Sequence, residues 1–451
     1  LAASSKLTAP PAQLRLTCQC NLPRNVPYGK CQLMPFASPP PPQTSSALRL
    51  VIAMAAVYSL LFVMAQMHRM GGAVIAPALA AELALNASDL GLIIGVMFLA
   101  SACTQPVSGI LLDRVGPVRA VAYLAPIGIT GMLIFAWAED VWLLALARAM
   151  IGSGFACVVS GIYVFLLGWV PRENFTTAAA TIQAIPGTVA VLIATTPLAV
   201  LLHDVGRGPV FVGLAVLTAV TIALVSVTVR EGPRSTRKTQ EPETLAKSIG
   251  GIGIIVTQRR FLWLALFSIT AIGPAIAVIG LLSGIYMRER FGLDAQQLGT
   301  TVLVLLIALN LGGVIYGPLD RWTGRRKAVV AGGILVQVGL LTTLAVLGDV
   351  SYWTTLILLT AVASVSQLHA LIIAHAQSLF SPELAGRVIT TTNIFMIGGI
   401  FLFQAMSGIA YDLFTNGFGA IPTDGYRLTF ISLACCQVLG LLFYSQAPSS
   451  T

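Results

Sequence analysis

The feature that most constrains this chain is a series of apolar stretches, each about 20 residues long, that recur from residue 49 onward. A helix of about 20 residues, rising ~1.5 Å per residue, crosses the ~30 Å hydrocarbon core of a bilayer. The stretches occupy residues 50–72, 90–112, 119–137, 141–168, 176–201, 209–229, 261–286, 296–319, 328–347, 352–379, 387–413 and 426–445. They predict an all-α membrane protein with twelve transmembrane helices.

The chain also carries too few charges to form a water-soluble surface. Lys and Arg number 26 and Asp and Glu 17, so 10% of the residues are charged, whereas an average soluble domain has roughly 25%. A nucleic-acid-binding protein would collect its basic residues on one face, but here they stand between apolar stretches. A soluble enzyme and a nucleic-acid binder are both excluded, and the lipid bilayer is the expected surrounding.

The polar segment at residues 230–259 divides the helices six and six. We therefore expect a disordered cytoplasmic tail at 1–48, a six-helix bundle at 49–230, a cytoplasmic linker at 231–258 and a second bundle at 259–447. The tail is rich in Pro and Ser and shows no apolar period. The chain starts with Leu1, which leaves open whether the tail is translated, with Met34 or Met54 as alternative starts.

The basic residues predict the orientation of the chain. Loops on the side of the tail hold 20 of the 26 Lys and Arg residues, and loops on the opposite side hold 4. The remaining two, Arg69 and Arg148, fall within predicted helices. Because cytoplasmic loops are enriched in Lys and Arg, both termini are expected in the cytoplasm of a multi-pass protein of the plasma or inner membrane.

A short motif occurs twice, after the second and after the eighth predicted helix, which is the equivalent position in each half. The first copy contains Gly109, Asp113, Arg114 and Gly116, and the second contains Asp320, Arg321, Gly324 and Arg325. In the second copy, Tyr316 stands where the first glycine would fall. A duplicated six-helix unit is typical of transporters that bind their solute at the bilayer midplane.

These motifs and the helix number resemble the major facilitator superfamily over residues 49–447. The loop between the family's second and third helices reads G-x-x-x-D-R-x-G-R-[RK]. Gly109, Asp113, Arg114 and Gly116 match it, Pro117 replaces the following Arg, and Arg119 supplies a positive charge two positions later. A second family motif, R-x-x-x-G, appears in the fourth helix at Arg148 and Gly152. The resemblance implies two pseudo-symmetric bundles that move a small solute by alternating access.

The loop motif has a physical interpretation as a gate. Asp113 can sit on the positive end of a helix in the other half, and the start of the eleventh helix near Gly386 is the expected partner. Gly116 allows a tight turn. Three more glycines and Gly109 are expected to let helices approach closely; the three are Gly95, Gly152 and Gly154.

Polar residues on one stripe of the first helix predict a cavity wall. Gln66, Phe62 and Tyr58 precede Arg69 by 3, 7 and 11 residues, which places all four on one face. The first helix is similar to that of organic-anion and organophosphate carriers of the superfamily, and this resemblance implies that Arg69 contacts an anionic group. The competing interpretation is that Arg69 reaches the outer lipid headgroups, since it comes late in the predicted helix.

Further candidates for solute contacts are Arg148 in the fourth helix and Asn393 and Gln404 on one stripe of the eleventh. Single amides such as Gln105, Gln183 and Gln367 are expected to form hydrogen bonds between helices, and each histidine is a candidate proton carrier. No acidic residue lies in the middle of a predicted helix. A cavity with fixed positive charge and no deep carboxylate favours an anion.

The sequence thus predicts a monomeric secondary transporter of a small, carboxylate-like solute, with a proton or counter-anion as the coupling partner. One alternative is a proton-coupled efflux pump for drugs or metabolites, which would need a buried carboxylate. Another is a non-transporting membrane sensor, and a membrane enzyme is disfavoured because no catalytic motif is present. The seven cysteines form no C-x-x-C pair, so neither a metal nor a cofactor is expected.

Overall fold

The structure is a computed structural model, and it describes residues 45–170, 172–230, 245–348, 350–380 and 384–448. Most of the predicted tail and residues 231–244 of the predicted linker lie outside the described residues. Described residues from Leu48 onward belong to one compact unit. Within the described ranges, the regular elements are helices.

Twelve helices are long and apolar enough to cross a membrane, as predicted. Numbered spans 1 to 12, they are Arg49–Met70, Ala87–Val115, Pro117–Trp137, Val141–Trp169, Thr181–Asp204, Arg207–Thr228, Arg259–Phe291, Ala295–Thr323, Arg326–Leu347, Tyr352–Ser378, Arg387–Gly417 and Pro422–Gln446. Large apolar side chains on their outer faces are exposed, for example Val314, Ile315 and Val220. Apolar side chains suit contact with lipid tails, and a helix also satisfies its own backbone hydrogen bonds in that environment.

Several spans are interrupted near their middle, and the interruptions repeat between the halves. Span 4 consists of Val141–Gly154 and Val158–Trp169, and span 10 consists of Tyr352–Ser364 and His369–Ser378. Span 5 is made of the later part of the helix Arg172–Ala194 and of the helix Thr196–Asp204. Span 7 divides into Arg259–Ala277 and Ser283–Phe291 around the π-helical turn Val278–Leu282. Span 11 contains the helix Ala385–Asp412 followed by the π-helical turn Leu413–Gly417. Equivalent spans 4 and 10 thus break alike, which supports an internal duplication.

The first helix is longer than the sequence predicts. The helix Ser45–Met70 is followed after a single residue, Gly71, by the helix Gly72–Leu83. Arg69 therefore lies near the middle of a helical path from Ser45 to Leu83 rather than at its outer end. The interpretation in which Arg69 reaches the lipid headgroups is wrong, because residues 70–80, all buried or partly buried, follow it before the chain turns.

A second unpredicted helix, Leu245–Val256, lies in the predicted linker just before span 7. We call the end of the bundle where span 1 begins and span 12 ends the terminal end, and the opposite end the distal end. Spans 2, 4, 8 and 10 run from the distal end to the terminal end, and spans 1, 5, 7 and 11 run the other way. These eight spans surround the interior of the molecule and position the site.

Candidate functional site

A cavity of about 270 Å³ lies between the two halves of the molecule. Its wall is built by spans 1, 2, 4 and 5 of the first half and by spans 7, 8, 10 and 11 of the second. The lining residues of spans 2, 4, 5 and 10 come from the middle of each span and from its terminal-end side. The cavity is therefore central, and along these four spans it extends toward the terminal end.

The wall has an apolar part and a polar part. Spans 7 and 8 contribute aliphatic side chains, among them Ile272, Ile276 and Leu309. The polar part consists of one arginine, one histidine, one serine and six amides: Arg69, His369, Ser160, Gln66, Gln105, Gln183, Gln367, Asn393 and Gln404. The described lining residues include no Asp or Glu.

Arg69 is the lining residue with a permanent charge. It lies at the end of the helix Ser45–Met70, next to the break at Gly71, and is partly buried. Its Nη2 donates a hydrogen bond to Ser101 Oγ of span 2 at 3.1 Å. This neutral hydroxyl is its one hydrogen-bond partner among the described residues, which leaves most of the five N–H donors of the guanidinium for other acceptors.

Two amide oxygens at the cavity also have unmet hydrogen-bonding capacity. Gln66 Oε1 and Gln404 Oε1 are buried and accept no hydrogen bond from a described residue. Unpaired buried acceptors are costly unless water or a solute supplies a donor. The cavity can therefore accept hydrogen bonds from hydroxyl or amide groups of a solute, and Arg69 can bind a negatively charged group of the same solute.

Only the distal part of the predicted stripe on the first helix reaches this cavity. Tyr58 and Phe62 are fully buried and do not line it. The ring of Tyr58 stacks on Phe165 of span 4 at 6.0 Å, and its hydroxyl occupies the space that a Cβ at Gly161 would need. Since Tyr58 lies ~16 Å from Arg69 along the helix axis, the same face leaves the cavity and enters the packing between spans 1 and 4.

Arg148 does not line the cavity either, contrary to expectation. It is fully buried inside the first half, where its guanidinium carbon lies 6.0 Å from the centre of the Phe135 ring. Its one hydrogen bond among the described residues runs from Nη2 to the His68 carbonyl oxygen at 3.4 Å. Its apolar neighbours in the sequence, Ala147, Ala149 and Met150, do not indicate which side of span 4 faces the cavity.

Asn393 and Gln404 do line the cavity, and so do His369 and three amides that the sequence predicts in contacts between helices. The three amides are Gln105, Gln183 and Gln367, and the sequence predicts His369 as one of several candidate proton carriers. A signal was present, since each is a polar residue inside an apolar span. The periodicity of one helix, however, does not tell which of its faces meets the cavity.

The first copy of the loop motif closes span 2. Gly116 has a φ of +83° and joins the helix Ala87–Val115 to span 3, a backbone conformation that favours glycine. Asp113 and Arg114 are exposed at this end. The expected role of Gly109 in close packing is wrong, because a Cβ there would meet no atom within 4 Å. Residues 381–383 before span 11 lie outside the described residues, so the contact of Asp113 with that helix near Gly386 stays a prediction.

The second copy also ends its helix at a glycine with positive φ, but its ψ and its contacts differ from those of the first copy. Gly324 has a φ of +60° at the end of span 8, and Arg321 and Arg325 are exposed. Asp320 forms an ion pair with Arg326, from Oδ2 to Nη2 at 3.0 Å. Tyr316 donates a hydrogen bond to the Val365 carbonyl at 2.7 Å, which satisfies a backbone group at the break in span 10. The departure from glycine at position 316 thus supports the broken helix beside the cavity.

Glycines close the two halves against each other at the distal end. A Cβ on Gly72 would lie 2.6 Å from the carbonyl oxygen of Gly280. The helix Gly72–Leu83, which continues span 1 and is counted with it here, therefore meets span 7 backbone to backbone. Further glycines make the same kind of contact between spans 1 and 7, 2 and 11, and 5 and 8: Gly284 with Ala73, Gly91 with Gln404, Gly408 with Ala87, and Gly299 with Thr196. We call these five glycines the distal seam. Gly95, Gly152 and Gly154 also lie in tight helix contacts, as expected.

A carboxylate reinforces the distal seam. Asp412 is the last residue of the helix Ala385–Asp412, and its oxygens accept hydrogen bonds from the backbone N–H groups of Ser88 at 2.7 Å and Ala87 at 3.3 Å. The Ser88 hydroxyl donates to the same carboxylate. Ala87 and Ser88 form the first turn of span 2, so Asp412 sits on the positive end of a helix in the other half. The sequence predicts the same type of contact for Asp113 of span 2 with the start of span 11. Here the carboxylate belongs to span 11, the helix start belongs to span 2, and the contact lies at the opposite end of the bundle.

Replacing Asp412 by Asn should open the distal end more often. The neutral amide loses the attraction to the helix terminus, which is worth up to ~2 kcal/mol, or roughly 30-fold in a two-state ratio. We expect faster labelling, from the distal side, of a cysteine introduced at Gln66. The matched control is Asp424→Asn, which removes an exposed ion pair with Arg427 within one half. Equal labelling of the two variants would contradict the role of Asp412.

The sequence and fold agree with those of known transporters. The family model described as Major Facilitator Superfamily matches residues 57–403. A comparison with curated protein sequences finds no significant match. Among solved structures, the chain is similar to the nucleoside transporter NupG, with 14% identity and a TM-score of 0.71 over 87% of this chain and 98% of that one.

Two further solved structures show the same fold. One is a bacterial homolog of the human lysosomal transporter Spinster in an inward-facing and unoccupied conformation, with 15% identity and a TM-score of 0.65 over 90% of this chain and 98% of that one. The other is the xylose transporter XylE from E. coli in a partially occluded inward open conformation, with 14% identity and a TM-score of 0.64 over 89% and 99%. With twelve spans, a duplicated helix pattern and a family match over most of its length, the chain belongs to the major facilitator superfamily and is a multi-pass integral membrane protein.

Proposed function

We propose that this chain is a secondary active transporter that moves a small organic anion, one with a carboxylate-like group, by alternating access. The observation that carries the proposal is the charge of the cavity wall. Arg69 is its permanent charge, and no Asp or Glu is among the described lining residues. A guanidinium in a low-dielectric site prefers an anion, and its planar fork matches a carboxylate.

The remaining wall favours an anion with a polar body. Six amides surround the arginine, and the oxygens of Gln66 and Gln404 lack donors among the described residues. A hydroxylated carboxylate would offer hydroxyl hydrogens to these oxygens and its negative charge to Arg69. The volume of about 270 Å³ suits a small metabolite, whereas sites for drug-sized molecules range over roughly 300–1,000 Å³.

The distribution of basic residues and the contacts of the distal seam together support an inward-facing state. With 20 of the 26 Lys and Arg residues on its side, the terminal end is assigned to the cytoplasm. The glycines and Asp412 then close the outer end, while the cavity lies toward the cytoplasm. Both termini are cytoplasmic in this orientation.

A second candidate is a neutral, hydroxylated solute. The amide-rich wall would serve it, and two of the similar structures are those of a nucleoside transporter and a xylose transporter. This candidate leaves the guanidinium of Arg69 without a counter-charge. A cationic drug is disfavoured, since the described wall offers it no carboxylate.

Uptake into proteoliposomes tests the proposal directly. The purified chain is offered radiolabelled acetate, lactate, gluconate and succinate, with glucose as a neutral solute and tetraethylammonium as a cation, each with and without a pH gradient. We expect at least one monocarboxylate to enter far above empty liposomes, with gluconate and lactate favoured over acetate. Uptake of glucose or tetraethylammonium without uptake of any carboxylate would refute the proposal.

A further inference from the structure

His369 is the one described lining residue besides Arg69 whose side chain can become positively charged. It opens the second helix of span 10, His369–Ser378, directly after the break at residues 365–368. Its side chain is partly exposed and lines the cavity. Histidine changes charge near neutral pH, so this residue can add a second positive charge to the cavity or withdraw it.

One nitrogen of the imidazole is held by the protein and the other remains for a proton. Nε2 lies 3.0 Å from Asn393 Oδ1 of span 11, and this oxygen accepts the Nε2–H bond. Nδ1 makes no hydrogen bond to a described residue. In the neutral ring Nδ1 therefore has a lone pair that can take up a proton, and Asn393 holds the ring in the same orientation in both protonation states.

The charge that faces His369 comes from across the cavity. Arg69 of span 1 lines the same cavity, so its guanidinium repels a positive charge on the imidazole. The described residues that spans 7, 8 and 11 contribute to the same wall are uncharged, and span 9 contributes none. In the empty cavity Arg69 thus opposes protonation of His369, and an anion placed between them would cancel that repulsion.

We propose that His369 is the proton-binding residue that couples anion transport to protons, so that each anion crosses together with one proton. Nδ1 takes a proton from the compartment to which the cavity is open and releases it on the other side after reorientation. Anion and proton favour each other's binding, because the anion cancels the repulsion between Arg69 and the protonated ring, and the protonated ring attracts the anion. This inference rests on the proposed function and adds the coupling ion and the residue that carries it.

The test separates coupled accumulation from exchange. Wild-type protein and the variant His369→Gln are reconstituted, and the probe is the radiolabelled carboxylate of the above panel that the wild type accumulates. We expect the glutamine variant to lose at least tenfold in accumulation driven by a pH gradient and to lose solute-evoked proton flux, while exchange of labelled for unlabelled probe continues. His203→Gln is the control, because His203 is exposed at the distal end beside Asp204.

Two results would overturn the inference. One is a His369→Gln protein that accumulates the probe and moves protons as the wild type does. The other, which does not depend on the variant folding, is a wild type whose Arg69-dependent carboxylate uptake evokes no proton flux. That result would leave the proposed function intact, whereas a wild type that takes up no carboxylate at all would overturn both.

Discussion

Replacing Arg69 by Gln is expected to reduce carboxylate uptake about 100-fold or more. The variant removes the permanent charge of the cavity wall and the donors that would grip a carboxylate, and each hydrogen bond to a charged group is worth about 1.5–3 kcal/mol. Arg69→Lys keeps the charge but loses the planar fork, so we expect a raised KM with anion selectivity retained. Initial rates in proteoliposomes over a range of concentrations measure both effects.

Arg49→Gln is the matched control for these variants. It is the same substitution on the same helix, at an exposed position of the terminal end. Its uptake should equal that of the wild type. Anion uptake that survives in Arg69→Gln would remove the basis of the anion assignment, and a gain of glucose uptake in that variant would favour the neutral solute.

Replacing Gly284 by Ala is expected to hold the distal end open. The added Cβ would overlap the carbonyl oxygen of Ala73, and neither backbone can retreat without separating spans 1 and 7. Overpacking of this kind costs about 1–3 kcal/mol. That cost falls only on the state in which the distal seam is closed, so it shifts the two-state ratio by roughly 5- to 150-fold toward the outward-facing state.

A cysteine at Gln66 reports this shift, because it should be labelled from the distal side by a membrane-impermeant maleimide much faster in the variant. Net uptake should fall at the same time, since the cycle needs both states. The control is Gly213→Ala on span 6, where a Cβ would meet nothing within 4 Å. Labelling that stays as slow as in the control would show that the distal seam tolerates the methyl group.

The fold could be predicted closely because hydropathy is a local property. All twelve spans were located within a few residues, and the error in the first arose where Gly71, Gly72 and Pro77 resembled the end of a helix. The helix resumes there because apolar surface on both sides of the break is buried between the halves. A local pattern contains no information on what lies beyond a break.

The cavity could be predicted only in part. Arg69 and Asn393 were recognised since a polar group in an apolar span must find a partner or water. Arg148 satisfied the same criterion yet is enclosed by its own half, and Tyr58 shares the face of Arg69 yet packs against span 4. Which polar face meets the cavity depends on how eight spans are assembled, and this is a property of long-range packing.

The position of Arg69 near the middle of its helical path has a consequence for a polarised membrane. The arginine is part of the protein, so its charge experiences the electrical potential of the compartment to which the cavity is open. Moving one charge across the whole field costs ~2.3 kcal/mol per 100 mV. An inside-negative voltage would hold the empty carrier with its cavity toward the cytoplasm, and it would lower the apparent affinity for solute offered outside. Over a complete cycle the arginine returns to its starting point, so voltage would set the resting orientation through this residue without driving transport.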